Sequence, residues 1–403
     1  MKQLKPRHIM LIIALCGLMS NCLGVLFNVA GLYFNSIAED FGIGRGDVSV
    51  AQTIASLGCA LGGILGAKAA KTGKFKLTVL VCTGLFAGGT ALLAFTHSIW
   101  PMYILSAIRG IGAGTAGTVL VTIIINSWFT GSVGLLTSLV FCSAGISGAI
   151  LSPILSSVIE HAGWRTGYLV MAAFIALFYL PALLFPIGVR PQDAGLEQTV
   201  LGGSEKKKKQ FTEPAEGPLD PAIFVLVLIY ACIASCATSY IPHFSGVADS
   251  YGRTAAVGSA MVSSAMLANT FGKLAYGALT DRIGIRKGVW IWGSLVAAGT
   301  LMMIRFHGTA ALYAAAFLVG LCYSLSSVGT ALLSRDMFSK ENYSRAYPTI
   351  NMINTAANAA ITSVIGFMYD ASGSYNGALL LLFGGMIVLM VCSTLAYARI
   401  RTR

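Results

Sequence analysis

Charge is what this chain has least of. Only 10% of its 403 residues are Asp, Glu, Lys or Arg, against roughly 25% in a soluble domain of ordinary composition. So few charges cannot cover the surface of a water-soluble protein of this length, which excludes a soluble enzyme and a soluble nucleic-acid binder. Acid is scarcer than base, 15 residues against 27. In a chain this apolar the basic excess reports membrane topology, so no nucleic-acid partner is expected. The motifs of nucleotide binding and metal hydrolysis are missing as well. There is no Gly-x-x-x-x-Gly-Lys-Ser/Thr and no His-Glu-x-x-His, so neither an enzyme nor a cofactor is expected. The nine cysteines all fall in apolar runs, are odd in number, and form no pair in a loop. They read as small buried hydrophobes, with no disulfide and no metal site.

What is present is a series of twelve apolar stretches: 8–34, 47–67, 77–97, 101–127, 134–158, 166–187, 220–243, 254–280, 288–305, 309–334, 346–368 and 376–398. Each is near the roughly 20 residues that a helix needs to cross a bilayer. The first is too long, and too polar at its end, to be a cleaved signal peptide. A polar run with three prolines, Gly202-Gly203-Ser204 and the lysines 206–209 separates the sixth span from the seventh. It predicts a flexible cytoplasmic linker over 189–219, between an N-terminal half (1–188) and a C-terminal half (220–403). With both termini inside, only Arg45, Arg165, Arg253 and Arg305 fall outside, and Arg109 and Lys273 lie within spans. The remaining 21 of the 27 basic residues are cytoplasmic, the asymmetry that the positive-inside rule demands.

The halves repeat each other. Gly66-Ala67-Lys68 to Lys76 after the second span corresponds to Gly277-Ala278-Leu279 to Lys287 after the eighth, 211 residues on. Ala38-Glu39-Asp40-Phe41-Gly42 corresponds to Ala248-Asp249-Ser250-Tyr251-Gly252, 210 residues on. Parallel six-helix repeats with a binding site near the bilayer midplane are a transporter architecture.

These residues make the chain similar to the major facilitator superfamily. Gly277-x-x-x-Asp281-Arg282-x-Gly284-x-Arg286-Lys287 is that superfamily's loop signature in full, and Arg109-Gly110 to Gly114 resembles its fourth-helix motif. Within it the chain most resembles the monocarboxylate and oxalate/formate branch, through Ala38 to Gly42 with Ser49, Asn126-Ser127-Trp128-Phe129, Gly163-Trp164-Arg165 and Tyr369 to Tyr375. The acidic first-helix motif of the monocarboxylate family is absent. The resemblance implies an all-α membrane fold of twelve transmembrane helices in two pseudo-symmetric six-helix halves. It places the substrate-binding arginine of the family at Lys273 and its proton-linked aspartate at Asn269. It also implies an inner gate at Gly277, Asp281, Arg282 and Arg286, with Asp281 capping the fifth span near Ser132. Ala70 stands where the first half would carry the matching acid.

The acidic residues all fall at span ends, in loops or in the linker, which leaves two cations and no anion in the spans. A charge at mid-depth costs roughly 2.5–3.5 kcal/mol on insertion scales, so each needs a reason. Lys273 shares a helix face with Asn269 and Gly277 at i−4 and i+4. It is read either as a substrate anchor or as a snorkelling lysine. Arg109 is read either as an arginine held at a glycine-rich helix crossing or as a second cavity cation. Asn351, Asn354 and Asn358 lie on one face of the eleventh span, where oxalate exchangers carry a second cation. That face should meet the cavity or another helix. Asn28, Tyr240, His243 and Tyr323 could add hydrogen bonds, and His243 is otherwise an exposed histidine near the outer end.

The sequence thus predicts a monomeric secondary transporter in the cell membrane, of the bacterial plasma-membrane kind, surrounded by lipid. It would move a small organic anion, a monocarboxylate, by alternating access, with a proton or counter-anion as the coupling partner. The alternatives are a major facilitator exporter or importer of a larger amphipathic compound, and a transport-inactive membrane sensor.

Overall fold

The computed structural model describes residues 6–131, 133–195, 197–201 and 219–401. The chain divides into two compact units, Met1–Lys206 and Lys207–Arg403.

In the first unit the opening span is irregular. An α-helix, Pro6–Met19, continues as a π-helix, Ser20–Asn28, and then as a 3₁₀ turn, Ala30–Tyr33. Helices Arg45–Thr72, Phe75–Thr83 with its continuation Gly89–Leu93, Ile99–Thr115 and Thr118–Trp128 follow. The helical stretch Val133–Leu184 holds the fifth and sixth spans, interrupted at Gly163 (φ 80°, ψ 161°), a conformation that favours glycine. In the second unit the seventh span breaks like the first. Pro221–Thr238 gives way to a 3₁₀ turn, Ile241–His243, and a short helix, Phe244–Ser250. Ala255–Ile283, Ile285–Arg305, Thr309–Gly320 with Thr330–Met337, Lys340–Ser372 and Asn376–Arg401 complete it.

Among the described residues nine helical stretches are long and apolar enough to cross a membrane, and one of them contains both the fifth and the sixth spans. Ala255–Ile283 and Lys340–Ser372 are also of spanning length but more polar. Together these make the twelve expected spans, and the fold is all-helical with one small exception. Phe129–Gly131 pairs in parallel with Thr199–Leu201, Thr130 opposite Val200.

That pairing corrects the expectation of a linker flexible from 189 onward. Trp128 Nε1 donates to the Gly188 carbonyl at 3.1 Å, Ser127 Oγ to the Val189 carbonyl at 2.6 Å, and Gln198 Nε2 to the Asn126 carbonyl at 3.2 Å. Residues 189–195 and 197–201 are therefore fastened to the end of the fourth span. The lysines 206–209 lie outside the described residues.

Glycine sets the closest helix approach. A Cβ on Gly62 would stand 2.4 Å from the Ile111 carbonyl oxygen, and one on Gly114 would stand 2.0 Å from that of Cys59. Small residues let two backbones touch where lipid supplies no hydrophobic drive for association. A second seam is polar. Asn28 Nδ2 donates to the Ala144 carbonyl and Ser143 Oγ to the Cys16 carbonyl, joining the first span to the fifth. Ser239 Oγ donates to the Asn358 carbonyl, and Asn358 Nδ2 to Ser235 and Thr238, joining the seventh to the eleventh. Irregular backbone is tolerated at membrane depth where protein, not lipid, surrounds it, and both broken spans lie along these seams. Large apolar side chains such as Leu61, Ile104, Leu80 and Phe271 point outward, as a bilayer permits.

Candidate functional site

Among the described residues each unit carries one cation within a span, Arg109 in the first and Lys273 in the second, and their surroundings differ. In the second unit Lys273 is half-buried on Ala255–Ile283, its Nζ 5.8 Å from the centroid of the Tyr323 ring. This is cation–π range. Asn269, one turn earlier, is 6% exposed, and its Oδ1 meets no hydrogen-bond donor. Beyond Lys273, Gly277 faces open space: a Cβ there would meet nothing within 4 Å. The structure thus brings Lys273 and Tyr323 together and leaves an unmet acceptor beside them. Tyr323 lies on a short helical turn, Cys322–Ser324, just before the π-helical stretch Leu325–Gly329 of the tenth span.

The remaining polar candidates of this unit are engaged in packing. His243 is buried rather than exposed. Its Nε2 donates to the Thr362 carbonyl at 3.0 Å, and its ring lies against Tyr375. Asn358 is committed to the seventh span, so the asparagine face of the eleventh span meets a helix there. Asn354, also buried, hydrogen-bonds Asn351 Oδ1 at 3.4 Å and accepts from Thr355. Tyr240 is buried at the break in the seventh span. Asp281, Arg282 and Arg286 are exposed around the turn that Gly284 (φ 86°) makes between two helices. The cap expected for Asp281 near Ser132 involves a residue outside those described.

In the first unit Asn28 is buried and spent on the Ala144 carbonyl. Arg109 is 4% exposed on Ile99–Thr115. Its guanidinium carbon lies 5.9 Å from the Phe86 ring centroid and 6.0 Å from that of Tyr168, and its Nε has no hydrogen-bond partner. Tyr168 stacks on Tyr33 at 4.2 Å with 14° between the rings. Tyr33 is 1% exposed, and its hydroxyl has no partner either. These three side chains line a cavity of about 20 Å³ together with Gln52 and Ser106. Sequence reasoning found Arg109 but missed Tyr33, Tyr168 and Gln52. They come from three other spans, and nothing in any one span's periodicity marks them. It also missed the approach of Cys22 and Cys59, whose sulfurs are 3.9 Å apart as free thiols.

Comparison with known proteins gives this geometry a family. The hexuronate transporter of Bacillus subtilis (strain 168) is 22% identical over 90% of this chain and 88% of its own length. Multidrug resistance protein D of Escherichia coli (strain K12) is 25% identical, over 44% of each chain, so the match spans less than half of that protein. Among solved structures the nucleoside transporter NupG superposes with a TM-score of 0.73 at 14% identity, over 96% of this chain and 99% of that one. A bacterial homologue of the human lysosomal transporter Spinster, inward-facing and occupied, gives 0.68 at 14%, over 100% and 98%. At such identity these structures speak for the fold alone. The sequence pattern of the Major Facilitator Superfamily matches residues 9–252 and again 226–403. With both repeats matched and the twelve spans in place, this multi-pass membrane protein belongs to the major facilitator superfamily of transporters.

Proposed function

We propose that the protein moves a small organic anion, a monocarboxylate, across the cell membrane by alternating access, with both termini cytoplasmic. The observation that carries this reading is the cluster on the eighth span. A half-buried lysine sits one turn from a buried amide, beside an aromatic ring and an open glycine. Lys273 supplies the charge that holds a carboxylate, as a compact point donor. Asn269 cannot release a proton, so any coupling proton or counter-anion is handled elsewhere. Asp281, Arg282, Arg286 and Gly277 serve the inner gate. The branch resemblance in the sequence supports this, and so does the hexuronate transporter, whose named substrate is itself a carboxylate.

The partial likeness to a multidrug resistance protein favours a second reading, an amphipathic compound as cargo. Uptake of labelled lactate, formate, pyruvate and oxalate into proteoliposomes separates the two. Saturable uptake of a monocarboxylate is expected. No flux of any of the four, with flux of a lipophilic cation dye, gives the second reading instead.

A further inference from the structure

The geometry points to a second anion site, lying wholly within the first unit: the pocket formed by Arg109, Tyr33, Tyr168, Gln52 and Ser106 binds one small monovalent anion, either chloride or a single carboxylate headgroup. This goes beyond the Lys273 reading and stands independently of it.

Three observations carry it. The first is unmet donor capacity. Arg109 Nε and the Tyr33 hydroxyl are both buried, both line the same cavity, and neither has a partner. Buried donors are almost always satisfied, and two orphans facing one cavity call for a shared acceptor. The second is charge. The titratable neighbours that act on Arg109 are Tyr168 and Tyr33, both neutral phenols, and no carboxylate is among them. Gln52 has already committed its Nε2 to the Leu26 carbonyl at 3.0 Å. An anion is the acceptor that matches donors of this charge.

The third observation separates function from packing. Gly110 presses on the Ala55 carbonyl just as Gly320 presses on the Ala265 carbonyl, 210 residues on in both strands of the comparison. The helix crossing is therefore the same in the two halves. At that offset the counterpart of Arg109 is Val319, fully buried. The crossing forms with an apolar residue in this place, so it does not require the arginine.

Size sets the ligand class. A cavity of about 20 Å³ has room for one water-sized group. It admits a halide or one oxygen of a carboxylate, and the body of a larger anion must project from it.

The test uses the full-length protein in nanodiscs, titrated with chloride, formate and lactate and followed by calorimetry and thermal stability. The wild type should bind one anion at this pocket beside any monocarboxylate held at Lys273, so affinities are compared in the Lys273→Gln background, which should bind one anion per chain. Arg109→Gln should weaken binding about tenfold or more, and Tyr33→Phe, which removes only the hydroxyl, roughly three- to tenfold. Lys273→Gln should lose only the monocarboxylate held at its own position and keep the anion of this pocket. Competition between chloride and formate identifies a small-ion pocket, and binding of carboxylates alone identifies a headgroup site; either outcome supports the assignment. Absence of saturable anion binding in the wild type overturns it, as does wild-type affinity in Tyr33→Phe. Tyr33→Phe decides the matter if Arg109→Gln fails to fold. Binding lost in Lys273→Gln but kept in Arg109→Gln overturns this site while leaving the Lys273 anchor standing.

Discussion

Replacing Lys273 with Gln tests the proposed function at its centre. The side chain is half-buried and lies 5.8 Å from the centroid of the Tyr323 ring. Loss of a cation–π contact at a partly exposed site costs about 0.5–1 kcal/mol, which a helix bundle of this size absorbs. The effect on substrate should be larger. A hydrogen bond to a charged group contributes about 1.5–3 kcal/mol, and each 1.4 kcal/mol is a factor of ten in affinity. The apparent affinity for a monocarboxylate should therefore fall roughly 10- to 150-fold in proteoliposome uptake, while the melting temperature in detergent stays close to that of the wild type. Lys273→Arg should retain part of the uptake with altered preference, because the guanidinium keeps the charge but presents a planar fork. Uptake by Lys273→Gln with unchanged rate and unchanged half-saturation would remove the main support for an anionic substrate. A variant that loses both uptake and its folded elution profile would point to a structural lysine.

Gly114→Val should destabilise the first unit by at least about 1–3 kcal/mol, because its Cβ would lie 2.0 Å from a backbone oxygen; Gly88→Ala, with nothing within 4 Å, should melt within a degree or so of the wild type, and equal melting of the two would refute the close crossing. Asp281→Asn should slow transport severalfold with little change in substrate binding, since an interaction at a helix end is worth about 0.3–1 kcal/mol; flux at the wild-type rate would show that the loop has no latch. In a cysteine-depleted protein, Ser250→Cys should react with an impermeant thiol reagent from outside intact cells and Ser204→Cys should not; labelling of Ser204→Cys would reverse the topology.

The spans were legible because a bilayer imposes a length, and twelve apolar runs near that length stand out against 10% charge. The repeat was legible because glycine and charge in the 66–76 and 277–287 loops answer to turn geometry and membrane side, which tolerate little change. The interruptions of the first and seventh spans were not. Ser20–Asn28 becomes π-helical, and Ile241–His243 turns 3₁₀, through packing against partners more than a hundred residues away, such as Asn28 on Ala144 and Ser239 on Asn358. Helical periodicity assigns a residue to a face but not that face to a neighbour. For that reason Asn358 and His243 read as cavity candidates and proved to be engaged with helices, while Tyr33 and Tyr168 went unnoticed until three spans were seen together.

The comparison of the two halves carries further than either half alone. Their backbones follow one plan, down to the glycine that meets a carbonyl at Ala55 and at Ala265. Their charges do not. The second unit has Lys273 where the first has Gly62 or Gly63, and the first has Arg109 where the second has Val319. A residue that the fold needs should recur wherever the fold recurs, as Gly110 and Gly320 do. Each interior cation instead occupies a position that the other half fills with an uncharged residue, at a cost in insertion that packing alone does not return. That asymmetry supports the proposal that the charges serve what the protein carries rather than how it is built. On that proposal their placement in separate halves gives each unit its own means of holding an anion.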